Sequence, residues 1–161
     1  MFVERSPVLE LVLLNLKICI VGDGPEKDSL VELAEVLGCQ ATFTGTVRED
    51  EAIELMRYSQ IYILFSTYEG LSFSLLQAMN LGKAVLVSNA QGNLDVITNG
   101  YNGLVVDKND QEGLTETLKE LISNPELKAN LGQGARKTVI DDYSLNQTLS
   151  ATSNLLGVTR G

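Results

Sequence analysis

The sequence of 161 residues contains no histidine and no tryptophan, and only two cysteines and three prolines. Without histidine there is no Ser-His-Asp or Cys-His pair and no imidazole metal ligand. Nor is there any side chain whose unperturbed pKa lies near neutrality. Cys19 and Cys39 alone cannot complete a four-ligand zinc site. Both fall in predicted buried strands and read as reduced core thiols of a cytoplasmic protein. Basic residues are scarce too: twelve Lys and Arg stand against twenty-one Asp and Glu, a formal net charge of -9. That field repels phosphate backbones and anionic lipid, which counts against a nucleic-acid or membrane-surface role. Any phosphate must be held by a focused local site. No uninterrupted apolar stretch approaches the ~20 residues needed to cross a bilayer. Residues 1–16 carry Glu4 and Glu10 in their only apolar run and have no basic leader, so no signal peptide is expected. What remains for chemistry is carboxylates, amides, hydroxyls and backbone.

What is present is enough for a core: 44% of residues are hydrophobic and 20% charged. Strand-like and helix-like segments alternate. Residues 16–21 (LKICIV) form a short apolar run that stops at Gly22-Asp23-Gly24. Pro25 suits the start of a helix carrying Leu30, Leu33, Ala34 and Leu37, closed by Gly38. A strand over 41–44 and a helix over 50–58 follow. Residues 61–65 (IYILF) are too apolar for a wet face, as expected of a central parallel strand. A helix over 72–81, a buried strand over 84–88, a short helix over 94–98 and a last strand over 103–106 complete the alternation. Asp110 and Asn124-Pro125 then cap two helices, and Ser144 could cap a third. Repeated strand–helix–strand units mean right-handed crossovers and a doubly wound parallel α/β sheet with a helical C-terminal tail. The chain reads as one domain over 1–161, with 1–15 the remnant of a preceding helix and 144–161 a C-terminal helix and tail.

In such a sheet, ligands bind where loops leave the carboxyl ends of the strands. Gly22-Asp23-Gly24 lacks the third glycine of a dinucleotide fingerprint, and a tight turn is its plainer reading. The loop 66–72 (STYEGLS) is more informative. Gly70 lets the backbone approach a ligand, and the amides of Leu71, Ser72 and Phe73 open a helix where an anion is favoured. Glu69 either complements that positive helix end or accepts hydrogen bonds from sugar hydroxyls.

The run Thr67-Tyr68-Glu69-Gly70-Leu71-Ser72-Phe73-Ser74-Leu75-Leu76-Gln77-Ala78-Met79, followed by Gly82-Lys83-Ala84-Val85, resembles the donor-site signature of retaining glycosyltransferases of the GT-B fold, the large family 4 group. The likeness extends through Val21-Gly22-Asp23-Gly24-Pro25, through Phe43-Thr44-Gly45-Thr46-Val47, and through residues 92–106. It covers roughly residues 16–144, in order and in spacing. The resemblance implies a Rossmann-like C-terminal GT-B half that binds a nucleoside-diphosphate sugar, UDP- or GDP-linked, and requires no cofactor. It places Glu69 on the donor sugar ring as the catalytic carboxylate. The Gly70, Leu71, Ser72 and Phe73 amides fall on the diphosphate, Gln77 on the ribose, and Thr46, Val47 and Arg48 beside the base, with Gly22 near the same cleft. Transfer of a hexosyl group to a saccharide or lipid-linked acceptor, as in polysaccharide biosynthesis, is the implied reaction.

Departures from the pattern keep other readings in play. Gln77 stands where the family has a second Glu, Asp95 where it has Glu, and Gln91 where it has Gly. The additional strand and basic Gly-rich turn that open the family's C-terminal domain are not seen before residue 16. The N-terminal Rossmann-like acceptor half is likewise not expected within these residues. The expectation is therefore a donor-binding half inactive alone, in the cytoplasm or at the cytoplasmic membrane face. Its exposed sheet edge is expected to promote a homodimer. The alternatives are a non-catalytic α/β module with a vestigial donor site, or a fragment of a nucleotide-sugar epimerase, for which a histidine would be expected.

Overall fold

The computed structural model describes residues 16–68 and 70–143. The helices expected over 1–15 and from Ser144 onward lie outside the described residues, as does Glu69. The element order is β1 (Lys17–Ile20), α1 (Lys27–Leu37), β2 (Gln40–Phe43), α2 (Glu49–Tyr58), β3 (Ile61–Leu64), α3 (Phe73–Asn80), β4 (Ala84–Ser88), α4 (Gln91–Leu94), β5 (Leu104–Val106), α5 (Gln111–Ser123) and α6 (Pro125–Asp142). Every ladder is parallel, with Lys17 opposite Gln40, Ile61 opposite Ala84 and Leu86 opposite Leu104. This is the expected Rossmann-like α/β arrangement with a helical C-terminal region.

The helix ends follow local chemistry. Asp110 Oδ1 accepts from the Gly113 amide at 2.8 Å and Asn124 Oδ1 from the Leu127 amide at 2.9 Å, so both expected caps form. Gly38 closes α1 with φ of 66°, a left-handed conformation that glycine adopts at little cost. The short helix α4 lies at Gln91–Leu94, earlier than the expected 94–98. Its Asn93 is fully buried and donates through Nδ2 to the Ser88 carbonyl at 3.1 Å. That tertiary bond draws Gly92 and Asn93, which read as loop residues, into a helical turn.

The core is built around β4, buried along its whole length. Successive strand residues face opposite sides. Val85 and Val87 pack with Leu75, Ala78 and Met79 of α3 and Ala135 of α6. Ala84 and Leu86 pack with Leu118 and Leu121 of α5 and Leu131 of α6. Both faces of β4 are therefore covered, as a central parallel strand requires.

The sheet is not continuous. Among the described residues, β1 and β2 form one ladder and β3-β4-β5 another, with no pairing between β1 and β3. A doubly wound sheet of strand order 3-2-1-4-5-6 has one more strand at that position. The break therefore falls within the strand order and not at its outer edge, so β1 and β3 each have one ladder partner. This corrects two expectations. The 61–65 strand does have a wet face: Ile63 is 46% exposed. Cys19 is exposed in β1, and Cys39 is half-buried just before β2, so neither is a core thiol.

Candidate functional site at the carboxyl ends of the strands

Three strands deliver their following loops to this end. After β1, the Gly22 amide donates to the Gly45 carbonyl at 3.0 Å, and the Thr44 amide donates to the Ile20 carbonyl at 3.0 Å. The turn at Gly22 and the loop that carries Thr46, Val47 and Arg48 are thus one unit. Gly45 is buried with φ of 67°, and a Cβ there would lie 3.2 Å from Lys27 Nζ. The Lys27 ammonium also reaches Asp23 at 3.7 Å. Lys27 is a cation at this end that the sequence pattern did not single out; its place in the first turn of α1, directly after the glycine turn, was the available signal.

Arg48 precedes α2 and turns onto its own first turn. Its guanidinium donates to both oxygens of Asp50 at 3.0 and 3.1 Å and lies 3.5 Å from Glu51. The Arg48 amide donates to Glu51 Oε2 at 3.0 Å. The hydrogen bond from Arg48 holds the Asp50 carboxyl below the usual carboxylate range. Arg48 remains well exposed, so a ligand can compete for it at the expense of surface pairs worth little.

The loop after β3 leads into α3 through a hydroxyl network. Tyr62 donates to Ser74 Oγ at 2.8 Å, Ser74 and Ser72 hydroxyls lie 3.1 Å apart, and Ser72 Oγ accepts from the Leu75 amide at 3.4 Å. Ser72 is buried while Gly70, Leu71 and Phe73 are exposed, so the capped helix end opens to solvent. The first amides of a helix have no intrahelical acceptor, and the eight-residue α3 brings a positive dipole end to this point. The root of the loop is fixed from below, because Ser88 Oγ donates to the Ser66 carbonyl at 2.6 Å. Lys108, following β5, reaches the Thr67 carbonyl at 3.4 Å and is a second cation missed in the sequence. Only folding shows it, since β5 and the loop are far apart in the chain.

Gln77, in the second turn of α3, joins the two groups of loops. Its Nε2 donates to Glu49 Oε1 at 2.6 Å. It also lines an open groove of about 380 Å³ with Phe73, Leu76 and Asn80 of α3 and Val139, Ile140 and Tyr143 at the end of the chain described. Burial, with the charges of Asp142 and Asp95, raises the Tyr143 phenol above its ordinary range. Lys83 lies away from this end. It donates to the Arg57 and Ser59 carbonyls at 2.6 and 2.8 Å and so closes the C-terminus of α2, not that of α3, which it follows in sequence. Of the expected residues, Gly22, Thr46, Val47 and Arg48 share one cluster and Gly70, Leu71, Ser72 and Phe73 another, with Gln77 between.

Comparison with known proteins places this arrangement. The profile of the family described as Glycosyl transferases group 1 matches residues 8–138. An uncharacterised glycosyltransferase of Methanocaldococcus jannaschii is 35% identical over 133 residues, covering 81% of this chain and 34% of the relative. The lipopolysaccharide core biosynthesis glycosyltransferase LpsE of Rhizobium meliloti is 25% identical over 160 residues, covering 96% of this chain and 47% of the relative. Among solved structures, HepE of Anabaena with UDP and glucose superimposes with a TM-score of 0.81 at 20% identity, over 95% of this chain and 43% of that one. The chain thus spans between about a third and a half of the length of the proteins it matches. No helix among the described residues is long and apolar enough to cross a membrane. The matched profile extends across the loops of all three strands that build the site, and this chain belongs to the glycosyl transferases group 1 family.

Proposed function

We propose that this chain is the donor-binding half of a retaining glycosyltransferase that takes a hexosyl group from a nucleoside-diphosphate sugar, UDP- or GDP-linked. The observation that carries the reading is the capped N-terminus of α3, opened to solvent at the carboxyl end of β3. In this reading the Gly70, Leu71, Ser72 and Phe73 amides face the diphosphate. Departure of a nucleoside diphosphate from the sugar builds negative charge there, and fixed dipoles aimed at it stabilise the transition state. Thr46, Val47 and Arg48 border the base, Gly22 lines the cleft, and Glu69 holds the sugar ring. No cofactor is required. The relatives' greater length supports an acceptor-binding half outside these residues, so we assign transfer to a saccharide or lipid-linked acceptor to the whole protein and only donor binding to this chain. We assign the chain to the cytoplasm.

Calorimetric titration with UDP, GDP, ADP and their sugars tests this. Heat with at least one at submillimolar affinity is expected, reduced for the nucleotide sugar but not the bare nucleotide by Glu69→Ala. No heat with any of them at millimolar concentration contradicts the reading and favours a vestigial site.

A further inference from the structure

We infer that Glu49 supplies the carboxylate for the nucleotide ribose that position 77 lacks, with Gln77 as its positioning partner. This rests on the donor-site reading above. A ribose links a base to a diphosphate, so its hydroxyls must fall between the groups that hold those two parts. Glu49 directly follows the Thr46-Val47-Arg48 loop, and Gln77 lies one turn beyond the Gly70-to-Phe73 amides. The bond between them, Gln77 Nε2 to Glu49 Oε1 at 2.6 Å, spans 28 residues of sequence and bridges the two loop groups.

The chemistry of the pair is asymmetric. An ionised carboxylate only accepts hydrogen bonds, and one oxygen of Glu49 is occupied by the Gln77 amide. The other oxygen faces no competing cation on its own helix, because the Arg48 guanidinium is directed to Asp50 and Glu51. Two vicinal ribose hydroxyls are donors and match an acceptor-only group beside an amide carbonyl. A Glu at position 77 would place a second negative charge at hydrogen-bond distance from Glu49, and like charges that close disfavour joint ionisation. The glutamine is therefore the residue type that orients a carboxylate at position 49 through a donated hydrogen bond. The departure at position 77 and the carboxylate at position 49 form one unit.

The experiment compares UDP with 2′-deoxyuridine 5′-diphosphate by calorimetry on the unaltered chain, E49Q, Q77E and the exchanged pair E49Q/Q77E, each checked for unchanged circular dichroism. The unaltered chain is expected to prefer the ribonucleotide. E49Q should weaken UDP by about five-fold, the difference between a charged and a neutral hydrogen bond, and weaken the deoxy ligand, which keeps only its 3′-hydroxyl, by less. Q77E should weaken UDP as well, and the exchanged pair should restore both affinity and ribose preference. A merely structural hydrogen bond would not move the ratio of the two ligands. An unchanged ratio in E49Q, or an exchanged pair no better than Q77E, overturns this inference and leaves donor binding standing. Absence of binding by the unaltered chain overturns both.

Discussion

Gly132→Ala is the substitution that most sharply separates packing from propensity. In the interior of α6, alanine is favoured over glycine by up to about 1 kcal/mol, so propensity alone predicts a stabilised protein. The structure predicts the opposite. A Cβ at Gly132 would stand 2.1 Å from the Gly82 carbonyl oxygen and 3.0 Å from its carbon, against an ordinary contact of 3.4–4 Å. Both partners are backbone, so no side chain can rotate aside; α6 must retreat by more than 1 Å from the turn that closes α3. Leu131 and Ala135 on either side are buried in the two cores and resist that retreat. Overpacking of this kind costs about 1–3 kcal/mol, and more where backbone meets backbone. After the propensity gain, a net loss of about 1–2 kcal/mol remains. Urea unfolding followed by circular dichroism measures it as a lower midpoint, with a thermal midpoint lower by roughly 2–8 °C. Gly113→Ala is the internal control. The three atoms nearest its Cβ all belong to the Asp110 carboxylate, which can turn away, and the cap lost is offset by propensity. Near-neutral stability is expected there. A Gly132→Ala protein as stable as the parent would refute the close approach of α6 to Gly82.

Two further outcomes follow from polar groups near the site. Asn93→Ala removes the two bonds to Ser88 and strands its carbonyl, but also removes an Oδ1 that has no partner among the described residues; a loss of about 1–2 kcal/mol is expected in urea unfolding. The Asp50 carboxyl, depressed by Arg48, favours the folded state above its unfolded pKa, and this contribution fades as pH falls through the lower folded value. Carbon-detected NMR titration should find its midpoint below the usual aspartate range, and Arg48→Ala should return it upward; an unmoved midpoint would remove the assigned cause.

The alternation of strands and helices was legible because apolar runs are punctuated by Gly22, Gly38 and Gly82 and by side-chain caps at Asp110 and Asn124. Local chemistry sets those boundaries, and local chemistry is what a sequence displays. The exposure of Cys19 and Ile63 was not legible, since an apolar run predicts a buried strand whether or not the neighbouring strand position is filled. The position of α4 was misjudged because the Asn93–Ser88 bond overrides the loop preference of Gly92-Asn93. The glycines at 132 and 134 look like weak helix residues until Gly82 and Tyr101 are seen against them. At the candidate site, the start of α3 beside Ser72 was legible in the run 70–77. The Gln77–Glu49 bond and the approach of Lys108 to Thr67 join segments distant in sequence and leave no periodic trace.

In the proposed function, a nucleoside diphosphate binds at the open end of α3 and beside the loop after β2. Amide chemical-shift mapping of the full chain during titration with UDP tests it most directly. The largest shifts are expected at Gly70, Leu71, Ser72 and Phe73, with a second group at Thr46, Val47, Arg48 and Glu49. Saturable shifts confined to other surfaces, with these amides unmoved, would contradict it.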